Sequence, residues 1–98
     1  MYEAGWGVQD YAEAARWYRK AADQGYAAGQ WCLGLLYEQG YGVQQDYLQA
    51  HIWLNLAAAQ GNKDAANARD ELAAKMTPGQ IAEAQRLARE WKPTTPSQ

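Results

Sequence analysis

The chain has no phenylalanine, one cysteine, one histidine and one serine, and its three prolines all lie at or after residue 78. Each shortage excludes something. A lone Cys32 cannot form an internal disulfide and gives no sign of the redox compartment. His51 stands beside Ala50 and Ile52 with no nearby Ser or Cys to act as nucleophile, so it reads as a packing or surface residue. Ser97 sits in the tail, which argues against serine hydrolase chemistry. One His and one Cys are too few for a metal cluster, so neither a metal nor a cofactor is expected. Net charge −2 and a pI near 5.2 give no basic field for nucleic acid, and no stretch approaches the roughly 20 apolar residues of a membrane span. The opening "MYEAGW" shows neither a charged n-region nor an apolar h-region. The location is cytoplasmic as written, or periplasmic or secreted if a signal has been removed.

What is present leans helical. Alanine is abundant, no proline interrupts the first 77 residues, and five Trp with seven Tyr supply the bulk around which small residues pack. Ninety-eight residues suit one small domain burying about two thirds of its unfolded surface. Residues 37 to 46, "YEQGYGVQQD", carry a Gly-x-Gly before a helix and so resemble a phosphate cradle. A dinucleotide fingerprint needs a preceding strand and a third glycine, and a P-loop ends in Gly-Lys-Ser/Thr; neither is present.

A repeat explains the loop instead. Residues 2 to 25 laid over residues 37 to 61, with Gln45 as a one-residue insertion, are identical at 14 of 24 positions, including both loop glycines, the Val, the Asp, the Tyr, the Trp and the closing Gln-Gly. A catalytic loop has no reason to recur once per structural unit, whereas a hairpin hinge does. In the complete unit, helix A is expected over Ala27 to Gln39, with Ala28, Trp31, Cys32, Leu35 and Leu36 on an apolar stripe that buries the thiol and Gly40 as a left-handed stop. Val43 tucks into the hairpin seam. Helix B starts at the N-cap Asp46 with Gln49 in capping-box position and runs to about Gln60; Asp10 and Glu13 repeat that start in the first unit. The third unit is weaker. "NKDAANARDELAAK" offers a thin stripe and a Glu71 to Lys75 pair, after which Thr77, Pro78 and Gln80 start a capping helix with Ile81, Ala84, Leu87, Ala88 and Trp91 on one face.

"LGLLYEQGYGVQQDYLQAHIWLNLAAAQG", with Leu33, Gly34, Tyr37, Gly40, Gly42, Val43, Asp46, Ala50, Trp53, Ala57, Ala58 and Gly61 in register, resembles a Sel1-like repeat, a relative of the tetratricopeptide repeat. The resemblance covers residues 2 to 91. It implies an all-α fold, a right-handed α-α superhelix or solenoid of antiparallel helical hairpins with about five helices. It also implies a non-catalytic scaffold or adaptor for protein or peptide binding, commonly in bacterial signalling, envelope and secretion settings. Residues 1–91 form the repeat domain, divided into a partial first repeat (1–25), a full repeat (26–61) and a degenerate repeat with its capping helix (62–91); residues 92–98 read as a disordered tail.

In related helical repeats the A helices line the concave groove. That places Ala28, Trp31, Leu35, Glu38 and Gln39, then Asp64, Asn67, Glu71 and Lys75, on the candidate partner-binding side. Trp31 and Leu35 are the anchor candidates, and the alternative is that both fill the seam between hairpins. The chain opens on only the last turn of a helix A, so helix B of the first unit should expose Tyr11, Trp17 and Tyr18. Either the chain is cut from a longer protein or a second copy covers that face as a homo-oligomer. Arg16, Arg19 and Lys20 are balanced by Asp10, Glu13 and Asp23, against a nucleic-acid stripe, and the adjacent Asp70 and Glu71 point apart. The runner-up functions are an inhibitor or immunity-type protein that blocks a partner, and an enzyme or nucleotide binder using the glycine loops.

Overall fold

A computed structural model of the chain describes residues 10–94. Its helices are α1 (Tyr11–Asp23), α2 (Ala27–Gln39), α3 (Tyr47–Ala59), α4 (Lys63–Ala73) and α5 (Pro78–Glu90), and the described residues contain no strand. The glycines Gly5 and Gly7 of the first unit lie outside the described residues.

Local chemistry sets the helix ends. α2 stops at Gly40, which takes φ 75° and donates its N–H to the Leu36 carbonyl at 2.7 Å, while the Tyr41 N–H reaches the same oxygen at 3.0 Å. Asp46 caps α3 by accepting from the Gln49 N–H at 3.1 Å. The expected capping box closes only halfway, because the Asp46 N–H donates instead to the Tyr37 carbonyl at 3.0 Å and ties both ends of the loop together. In the first unit, Asp10 makes no side-chain cap; Glu13 accepts from the Trp17 indole at 3.4 Å. Asn62 caps α4, and Thr77 with Gln80 forms the complete box expected for α5, the two reciprocal bonds measuring 3.1 and 2.9 Å.

α3 is the central element. It carries apolar residues on every side and packs against α2, α4 and α5, whereas α1 packs on α2. Ala50, Leu54, Ala57, Ala65, Leu72 and Met76 form the main core, and Ala22, Leu33 and Trp53 a second cluster. α5 does not pair with α4 as a hairpin. Its Ala84 and Ala88 lie on Ile52 of α3, flanked by Leu48, Leu56 and Leu87, so it closes the stack from the side. Residues 92–94, expected in a disordered tail, run instead against the α1–α2 turn. The Thr94 N–H donates to the Asp23 carbonyl at 2.6 Å, Pro93 lies against Gly25, and Trp91 meets Trp53 edge-on with ring centroids 5.8 Å apart. The apolar face of Trp91 drives this docking; residues 95–98 lie outside the described residues.

The glycine loop presses onto the preceding unit. Gly42 has φ 76°, and a Cβ there would collide with the Tyr11 carbonyl and come within 2.7 Å of the Ala12 nitrogen. Tyr41 stacks on Tyr11 with centroids 4.7 Å apart, and Val43 sits half-buried against α1 beside Ala12 and Ala15. The loop thus joins two helices and docks one repeat on the next.

Candidate interaction surface

α2 and α4 lie side by side, and the nine groove candidates fall along them. Trp31 and Leu35 are half-buried, each packed against the main core beneath α2 while keeping part of its surface exposed. Seam filling and an outward face therefore coexist in the same two side chains. Ala28 and Gln39 are exposed, as are Asp64, Asn67 and Glu71 along α4. Lys75 follows the end of α4 and pairs with α2, its Nζ 3.7 Å from the Glu38 carboxylate, rather than with Glu71. Lys75 is exposed while Glu38 is largely covered, so the pair contributes little to the stability of the fold.

The residues tested for chemistry fall elsewhere. His51 is buried, and burial with the nearby Arg69 charge holds its pKa below the ordinary value, Asp70 opposing. Its Nδ1 has no hydrogen-bond partner. Cys32 is half-buried rather than buried; desolvation pushes its thiol up, and the Tyr18 side chain, its hydrogen-bond partner, offsets part of that. Asp70 pairs with Arg69 at 3.2 Å, and Arg69 reaches Asn55 of α3 at 2.9 Å. Among the described residues no three His, Cys, Asp or Glu side chains come together as a metal set, and no helix is long and apolar enough to cross a membrane.

On α1, Trp17 is 61% and Tyr18 37% exposed, while Tyr11 is half-buried against Tyr41. Tyr26, at 61%, and Tyr41, at 44%, add exposed aromatic surface that the sequence reading had not singled out.

A buried amide also escaped it. Gln30 is fully covered; its Nε2 donates to the Ala22 carbonyl at 3.3 Å and its Oε1 accepts from Gln60 Nε2 at 2.9 Å, which also reaches the Gly25 carbonyl at 2.8 Å. This network locks the closing turns of both units together. Its one sequence signal is spacing, since Gln30, Leu33 and Tyr37 stand at i, i+3 and i+7 on one face.

Stacked helical hairpins joined by glycine loops, with A helices adjacent and an end helix covering the core, define a helical-repeat solenoid. The Sel1 repeat profile matches residues 1–26 and 27–62, and the chain belongs to the Sel1 repeat family. Over 49 residues, half of this chain, it is 47% identical to chitin synthase regulatory factor 3 of Schizosaccharomyces pombe; the chain spans only 5% of that protein's length. That relative is from a yeast, so it does not share the bacterial setting expected from the resemblance. Sel1 repeats are generally non-catalytic protein-interaction modules.

Proposed function

We propose that the chain is a scaffold module that holds a protein or peptide against the α2–α4 face. The observation that carries this reading is the pairing of half-buried Trp31 and Leu35 with a rim of exposed polar side chains, Asp64, Asn67 and Glu71, on the neighbouring helix. An aromatic that is already anchored in the core loses little freedom on binding, and its remaining surface is desolvated at low entropic cost. The polar rim supplies orientation.

The test uses rim residues that do not touch the core. Asp64→Lys with Glu71→Lys reverses the charge of α4 while leaving every core contact in place. Proteins captured from an extract of the native cell by the unaltered chain should be lost by the double variant, with the melting temperature lowered only by the few degrees that losing the acid in the first turn of α4 costs. Identical capture by both chains would reject the groove.

A second reading rests on α1. Trp17 and Tyr26, each 61% exposed, suit a homo-oligomer contact that joins α1 to a second copy. Light scattering over a range of concentrations tests it, and a monomeric mass throughout would remove it.

A further inference from the structure

Two hollows meet at Gln49, in the first turn of α3. The first, about 670 Å³, lies between α1 and the loop before α3 and is lined by Arg19, Tyr37, Gln44, Gln45 and Gln49 among others. The second, about 310 Å³, lies between α3 and α5 and is walled by Ile52, Trp53, Leu87 and Trp91, with Glu90 at its edge. Arg19 is exposed, yet its guanidinium is held in place. It donates to the Tyr37 hydroxyl and lies 5.7 Å from the Tyr37 ring centroid and 5.8 Å from that of Trp53. Arg16 lines the adjoining hollow beside it, and no carboxylate of the described residues pairs with Arg19.

Arg19, Gln45 and Gln49 are peculiar to this joint, whereas Gln44 recurs as Gln9 of the first unit. In the second unit the position of Arg19 is Asn55, that of Gln49 is Glu13 in the first, and Gln45 is the inserted residue. Tyr37, Val43 and Asp46, which share the hollow, recur as Tyr2, Val8 and Asp10. Shared positions build the joint, and those that differ give this joint a lining of its own. Trp53 walls the second hollow and stands beside the Arg19 of the first. It is 4% exposed, its Nε1 has no acceptor, one ring neighbour is the Arg19 cation and another is Trp91.

We infer that this face binds an extended acidic peptide segment, an Asp or Glu side chain pairing with Arg19 and an apolar side chain entering the hollow between Trp53, Leu87 and Trp91. The preorganised guanidinium supplies a charge-assisted bond, and Gln44 and Gln49 supply amides for the peptide backbone. Because both hollows share Gln49 and the Arg19 guanidinium lies 5.8 Å from the Trp53 ring that walls the second, the two anchors stand on one face of the segment, at i and i+2, roughly 7 Å apart. Asp46, the carboxylate in the Arg19 hollow, is engaged as the α3 cap by the Gln49 N–H at 3.1 Å, while Glu90 at the rim of the apolar hollow repels a second acid there and fixes the segment's direction. The site lies away from the α2–α4 groove and stands independently of it.

The test is a titration of the ¹⁵N-labelled full chain with a blocked peptide, acetyl-Gly-Glu-Gly-Leu-Gly-amide, followed by NMR. The inference expects saturable shifts at the Arg19 Nε–H, the Gln49 side-chain amide and the Trp91 indole. Changing the peptide's Glu to Gln should weaken binding about tenfold, as should Arg19→Gln in the protein. The peptide change leaves the protein untouched, so it decides the matter even where Arg19→Gln does not fold. A third peptide, with Gln for Glu and a free C-terminal acid, distinguishes an internal carboxylate from a chain end. Equal binding of the Glu and Gln peptides, full recovery by the free acid, shifts confined to Trp31 and Glu38, or no shift at saturating peptide would each overturn the inference.

Discussion

Replacing Gly42 by alanine should cost far more than the same change at Gly61, although both glycines close a turn with positive φ. Gly61 has φ 99° and open space where a Cβ would stand, so Gly61→Ala meets only the left-handed backbone penalty, about 1 kcal/mol. Gly42 carries the same penalty at φ 76°, and in addition its Cβ would strike the backbone of Tyr11 and Ala12. Backbone cannot turn aside as a flexible side chain does. The loop must lift from α1, which adds about 1–3 kcal/mol of the kind seen on overpacking and brings the total to about 2–4 kcal/mol. In a domain of this size each kcal/mol moves the melting temperature by about 4–8 °C, so Gly42→Ala should melt upwards of about 10 °C lower and Gly61→Ala only about 5 °C lower. Urea unfolding at constant m-value gives the free energies, and loss of ring-current shifts from the Tyr11–Tyr41 stack reports whether the loop has lifted. Equal losses for the two variants, within about 0.5 kcal/mol, would show that Gly42 serves the turn alone and that repeat-on-repeat docking has another source.

Other perturbations probe the remaining joints. Thr77→Ala removes one bond of the capping box and orphans the Gln80 N–H, costing about 1 kcal/mol by urea unfolding. Trp91→Ala should cost about 3 kcal/mol, since it uncovers Trp53 and unfastens the Thr94 to Asp23 bond, and should speed amide exchange at the α1–α2 turn. His51 makes stability depend on pH. Its folded pKa lies below the ordinary 6.5, so the unfolded chain binds the proton more readily; stability is complete above about pH 6.5 and falls as the pH drops towards the folded value. Unfolding midpoints measured from about pH 7.5 down to pH 5 should show that slope, and His51→Gln should flatten it.

Much of this architecture was legible because the signals are local. The limits of α2, Ala27–Gln39, follow from a glycine that must turn left-handed and from an apolar stripe of fixed period, and Asp46 marks the start of α3 as plainly. What escaped depends on partners distant in sequence. Gln30 looks like any polar residue until Ala22 and Gln60 surround it, eight and thirty positions away. The joint's glycine was read as permitting a turn, yet the tighter demand on Gly42 comes from the backbone of α1, which no spacing rule contains. Gly34 makes the same point inside a helix: a Cβ there would stand 2.8 Å from Leu54, so the residue is small because α3 lies against it. The capping helix was evident from Thr77 and Pro78, but its choice of α3 over α4 rests on the all-round apolar surface of α3. The candidate groove was placed by resemblance. The pairing of Lys75 with Glu38 rather than Glu71 follows from helix adjacency that the one-dimensional pattern does not encode.

Amide hydrogen exchange of the chain alone and in complex with its captured protein partner tests the central claim most directly. Binding through the helices that the glycine joint positions predicts added protection across residues 27–39 and 63–75, with the 40–46 loop unchanged. Protection confined to that loop would contradict the account and return the glycines to the role of a ligand cradle.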